Sequence, residues 1–195
     1  MFTMMTLLAL GIGIGLASVA GVRAFLPLTI AALFAALGLF DPPIRYADPD
    51  GWWPVVGALA GLAVLEMALD KVRALDPVFG YVMVPVRAAS GAILFAALAP
   101  AVDGGMVPWL AAGAVIAGAV AVAKVVLRPP AKAASAGVAS TTLSLFEDAV
   151  AVVGGAIAFF VPYLPLLFVA FLLFFYYRVR RRRGRKFGGL RILGD

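Results

Sequence analysis

The sequence predicts an all-α fold: a polytopic transmembrane helical bundle of six or seven spans, with its C-terminus cytoplasmic. Three observations predict it. Hydrophobic residues make up 64% of the 195 and charged residues only 13%, whereas a soluble domain of this length carries a large charged surface. Apolar runs of about 20 residues, the length a helix needs to cross ~30 Å of hydrocarbon, recur from Met4 to Tyr177. Threaded through a bilayer, all Lys and Arg except Arg45 fall on one side, which the positive-inside rule makes cytoplasmic. Period-two alternation is absent, which argues against a β-barrel.

The first segment runs from Met4 to Ser18 and the second from Val22 to Phe40, separated by the Gly21-Val22-Arg23 step. The first is short, so it reads either as a span or as one arm of a re-entrant hairpin. Seven spans place the N-terminus outside; six place both termini inside. Ser18-Val19-Ala20 resembles a signal-peptide cleavage site, but no basic residues precede the apolar run, so a retained helix is expected. Asp41-Pro42-Pro43 ends segment two. Trp52, Trp53 and Pro54 open segment three at an interfacial belt, and it continues to Lys71. The link from Val72 to Val84 has room for a short interfacial helix.

Segment four is expected from Pro85 to Ala101, and segment five from Pro108 to Arg128, with proline at each boundary of the latter. After the small-residue stretch Ala131–Thr142 come segment six, to Phe160, and segment seven, to Tyr177. Seven basic residues between Arg178 and Lys186 follow directly. They fit a cytoplasmic stop that attracts anionic lipid headgroups, and no folded module accompanies them that would suggest nucleic acid. One domain, 1–186, and a disordered tail, 187–195, are expected. Gly15-Leu16-Ala17-Ser18 and Gly137-Val138-Ala139-Ser140 form a weak internal echo of the kind transporter repeats show.

Charge inside apolar segments marks the candidate site. Glu66, Asp70 and Arg73 stand at i, i+4 and i+7, one face of a helix, with Glu66 past the middle of its span. An ionised group there costs several kcal/mol unless paired, hydrated or protonated. It reads as a proton, cation or amine site, or as an interhelical salt bridge to Arg87 or Arg23. Ser144, Glu147 and Asp148 open segment six. They supply polar ligands or cap a helix start, and the two acids, ~100° apart, are not expected to share one ion. Gly15–Pro27 around Arg23 reads as a broken helix able to bind a phosphate or carboxylate, or as a glycine seam with Arg23 snorkelling inward. Gly57-x-x-x-Gly61 is a packing signal. Arg87 and Lys124, near the inner ends of their spans, complete a charged vestibule open to the cytoplasm. The substrate- or ion-binding set is therefore Glu66, Asp70, Glu147, Asp148, Arg23, Arg87 and Ser144.

These motifs resemble a bacterial membrane family known as domain of unknown function 4126. The likeness rests on Gly15-Leu-Ala-Ser with Arg23-Ala-Phe-Leu-Pro27, on Leu65-Glu66 with Asp70-Lys71 and Asp76, on Leu127-Arg128-Pro129, and on Ser144-Leu-x-Glu147-Asp148. It spans nearly the whole chain and implies a small multi-span membrane protein of no settled activity. Ala131–Thr142 is richer in alanine than the family pattern.

With no Cys and no His, thiolate metal sites, disulfides and the commonest acid–base group are excluded, and no enzyme, metal or cofactor is expected. The function that ranks first is transport of a small solute or ion in a bacterial inner membrane. Lipid-headgroup binding or flipping, and a structural or assembly role without a ligand, are the alternatives. The bilayer, anionic lipid and a second copy of the chain are the expected partners.

Overall fold

A computed structural model describes residues 4–39, 51–71, 76–97, 106–127 and 136–188, with no strand among them. Within these residues lie seven helices: α1 Met4–Val22, α2 Phe25–Ala36, α3 Trp52–Lys71, α4 Asp76–Ala97, α5 Val107–Leu127, α6 Ala136–Ile157 and α7 Leu164–Gly188. Trp52–Asp70, Phe79–Ala97 and Val107–Leu127 are long and apolar enough to cross a membrane. The loop holding Arg45, the basic residues Arg73, Arg128 and Lys132, and the tail beyond Gly188 lie outside the described residues. So do the side chains of Lys71, Asp76 and Gly137–Thr142.

The helix boundaries differ from expectation in several places. Residues 76–84 form no separate interfacial helix; they are the first turns of α4, which carries Pro85 inside it. Pro85 sits on the exposed side, where its missing N–H leaves a carbonyl outside the packed core. Helix α6 begins six residues before Thr142, because alanine-rich sequence is the best helix former. Helix α7 runs on past Tyr177 through the arginines, which also hold helix well. Segment two is shorter than expected: α2 has 12 residues, about 18 Å at 1.5 Å per residue.

Helices α1 and α2 are the two arms of a hairpin. The start of α1 lies at the α6–α7 turn, where Tyr163 Oη donates to the Leu7 carbonyl (3.1 Å). The end of α2 returns to the same turn: the Phe34 ring centroid lies 4.7 Å from that of Phe159 and 6.1 Å from that of Phe160. Between them the chain reverses at Arg23-Ala24, halfway along α4 and α6. Segments one and two are thus the two arms of one hairpin, and α1, at 19 residues, is longer than the expected Met4–Ser18.

Around the hairpin, each helix turns a narrow stripe inward. Helix α1 is buried on all sides from Gly15 to Val22. Helix α4 offers Met83, Arg87, Ser90 and Leu94, α5 offers Gly113, Ala117, Ala121 and Lys124, and α7 offers Val169, Leu172 and Tyr176, all at helical spacing. Small residues set the closest approach. A Cβ on Gly113 would lie 2.3 Å from the Gly91 carbonyl oxygen, and one on Gly91 would lie 2.3 Å from Ala117 Cβ. Gly57 and Gly61 behave differently: both face open space, with nothing described within 4 Å of a Cβ.

Gly113→Leu should therefore destabilise the purified protein by about 2 kcal/mol or more, since backbone must move to admit the side chain. Gly57→Leu should stay within ~0.5 kcal/mol of wild type. Denaturation of both variants in detergent checks the contrast.

Candidate functional site: the charged apex of the hairpin

A helix that stops inside a bundle leaves backbone groups unpaired: the last carbonyls of one arm and the first N–H groups of the other. At the apex these groups meet charged side chains from other helices. The Val22 carbonyl accepts from Lys124 Nζ of α5 (2.9 Å). The Ala24 N–H donates to both oxygens of Glu66 (3.0 and 3.2 Å), and the Phe25 N–H to Glu66 Oε2 (3.2 Å). Ala24 has no capping side chain, so the α2 N-terminus takes its anion from α3. The Ala24 carbonyl accepts from Ser90 Oγ (2.6 Å). Cation at a helix C-terminus and carboxylate at an N-terminus is the arrangement that the helix dipole favours.

Arg23, in the step between the arms, has no exposed surface. Its Nη2 lies 2.7 Å from Asp148, 2.9 Å from Asp70 and 3.6 Å from Glu147, and donates to Ser144 Oγ at 3.1 Å. One guanidinium thus gathers α3 and α6 onto the apex. Lys124 Nζ pairs with Glu147 at 2.7 Å, and Tyr176 Oη of α7 donates to the same carboxylate. Arg87 Nη2 meets Glu66 Oε1 at 3.3 Å. Arg87 Nε and Nη1 are buried with no hydrogen-bond partner among the described residues.

All seven residues of the expected site meet here. Four details differ from expectation. Glu147 and Asp148, adjacent on α6, both reach the same Arg23 nitrogen, because the guanidinium enters at the level between them and acidic side chains are flexible enough to converge. Ser144 lies in the third turn of α6 and caps nothing; it accepts from Arg23 instead. Arg23 does not snorkel. The vestibule is closed: each of these groups is buried, and no described group of acids could hold a metal ion. Ser90 and Tyr176 were not legible as site residues. A lone serine or tyrosine in an apolar run carries no sign of which face it takes.

The sequence from residue 10 to 182 matches the family described as "Domain of unknown function (DUF4126)". The chain belongs to this family. The match covers every residue of the apex cluster, so the hairpin from residue 10 onward, the stripe carrying Arg87 and the Glu147-Asp148 pair fall within one family domain. No curated protein and no solved structure matches the chain.

A double-mutant cycle reads the cluster's cohesion. Arg23→Met alone takes the Arg23 partner from three carboxylates and should cost about 3–5 kcal/mol. With Asp148→Asn added, the combined loss should fall short of the sum by ~2 kcal/mol. Additivity within ~0.5 kcal/mol would show that Arg23 and Asp148 do not interact in the folded protein.

Proposed function

We propose that this protein is an integral inner-membrane transporter or channel for a small solute or ion, and that the apex of the α1–α2 hairpin is its site. The observation that carries the reading is the broken helix itself. A continuous helix would satisfy every backbone group internally, at no cost in buried charge. This chain breaks instead, and brings Arg23, Arg87, Lys124, Glu66, Asp70, Glu147 and Asp148 to the break, where each ion costs several kcal/mol to desolvate. Discontinuous helices whose ends face charged groups near mid-membrane are how transporters hold substrate and coupling ions.

In this reading the hairpin enters from the outer face and turns back at mid-depth, α2 being too short to cross ~30 Å. Helices α3 to α7 make five crossings, in place of six or seven. The N-terminus is outside and the basic end of α7 is cytoplasmic, against anionic lipid. The closed cluster is the occluded form of the pathway, and opening requires the ion pairs at Arg23 or Glu66 to part.

The ion pairs of Arg23 with Asp70 and Asp148 and of Lys124 with Glu147 also favour the second reading, a structural lock in a membrane assembly protein. Proteoliposomes separate the two. Wild type is given imposed gradients of H⁺, Na⁺, K⁺, chloride, acetate and phosphate, read with pH- and potential-sensitive dyes. Transport predicts that at least one gradient relaxes faster than in empty liposomes, and that Glu66→Gln returns that flux to background with its Tm kept within a few degrees. Wild type at background for every gradient would leave the structural lock.

A further inference from the structure

The Glu66 carboxylate occupies a seat with more donors than it uses. Its two oxygens take the Ala24 and Phe25 N–H groups and one nitrogen of Arg87. Arg87 is 1% exposed, and its Nε and Nη1 hold no hydrogen bond among the described residues. The Arg87 contact is long for an ion pair, at 3.3 Å where cation-to-carboxylate bonds run about 2.7–2.9 Å. The acid also arrives from outside the hairpin. Helix α3 is a peripheral helix with Val64 and Leu65 exposed on its far side, so the donors of the seat belong to α2 and α4 and not to the helix that fills it.

The seat is shaped for a planar anion with two oxygens. Two successive N–H groups at a helix N-terminus and a guanidinium converge on one carboxylate. The charge balance says how a ligand would use it. Among the described residues the cluster holds three cations (Arg23, Arg87, Lys124) against four carboxylates (Glu66, Asp70, Glu147, Asp148). A further anion added to that set would deepen the imbalance in a buried place. One that takes the seat of an existing carboxylate leaves it unchanged, provided the displaced side chain takes up a proton or swings out of the cluster. Glu66 is the carboxylate to replace: Asp70, Glu147 and Asp148 all sit around Arg23, and Glu147 is held by Lys124 and Tyr176 as well.

Resting on the transport reading above, we propose that the substrate is a small organic acid whose carboxylate group exchanges with that of Glu66 at the α2 N-terminus and Arg87. Glu66 is then the ligand's built-in stand-in, keeping the seat filled when no substrate is present. Arg87 is the residue that both occupants share.

Purified full-length protein in detergent tests this, with sodium acetate as the probe and sodium chloride at equal ionic strength as the control. Glu66→Ala deletes Cγ and the carboxyl group, whose heavy atoms are those of one acetate ion. Acetate should raise the Tm of Glu66→Ala saturably, by about 5 °C over chloride. Wild type should give a saturation-transfer NMR signal from acetate that Arg87→Gln abolishes. Equal effects of chloride and acetate on Glu66→Ala would overturn the carboxylate preference. A wild type silent toward acetate would overturn the exchange and make Glu66 a permanent cap. Should Glu66→Ala fail to fold in either salt, the NMR pair decides: a signal in both proteins, or in neither, overturns the proposal. Because binding is read without flux, the two readings fail separately. Acetate binding with every gradient intact would keep the seat and remove transport, and flux without acetate binding would do the reverse.

Discussion

A helix that reverses in the middle of an apolar bundle must have its broken backbone satisfied from outside, and much of this structure serves that requirement. The reversal at Arg23-Ala24 leaves carbonyls facing one way and N–H groups the other. Each such group, buried without a partner, costs several kcal/mol in hydrocarbon. Lys124 answers the carbonyl of Val22, Glu66 the N–H groups of Ala24 and Phe25, and Ser90 the carbonyl of Ala24. Those charges then need partners of their own. Arg87 pairs with Glu66, Glu147 with Lys124, and Arg23 with Asp70 and Asp148. The cluster grows outward from the break until the described carboxylates and cations meet one another.

The packing around it follows from the same constraint. Side chains as long as arginine and lysine reach the apex only if their helices lie close, and Gly91, Gly113 and Ala117 allow α4 and α5 that approach. The reversal also leaves the end of α1 enclosed by α2, α4, α5, α6 and α7, and α1 is buried on all sides from Gly15 to Val22. An ion-pair network of this kind contributes little net stability compared with apolar packing of the same volume. In the transport reading proposed above, the paired network would part when a ligand of matching charge enters the apex.

The helical class, the positions of the main segments and the membership of the cluster were legible from hydropathy, proline punctuation and the cost of charge in apolar runs. Glu66, Asp70, Glu147 and Asp148 stand out in sequence because few residues are so expensive where they lie. What was not legible was three-dimensional. The hairpin depends on whether Pro27 and the glycines before Arg23 bend the chain or reverse it, and the sequence permits both. The convergence of Glu147 and Asp148 depends on where the guanidinium enters, which is set by α1 and not by α6. Gly57-x-x-x-Gly61 has the spacing of a packing motif, yet nothing described packs there, because α3 turns its other face inward.

The reversal itself is open to direct measurement, and the chain's lack of cysteine makes the background clean. Single cysteines at Leu7→Cys, Ala24→Cys and Leu39→Cys, with Lys186→Cys as the reference for the cytoplasmic side, would be labelled in the membrane with an impermeant maleimide applied from each face. A hairpin turning back at mid-depth predicts that Leu7→Cys and Leu39→Cys react from the face opposite Lys186→Cys, and that Ala24→Cys reacts from neither. Reaction of Leu7→Cys and Leu39→Cys from opposite faces, or of Ala24→Cys from the Lys186 face, would contradict the reversal and the account built on it.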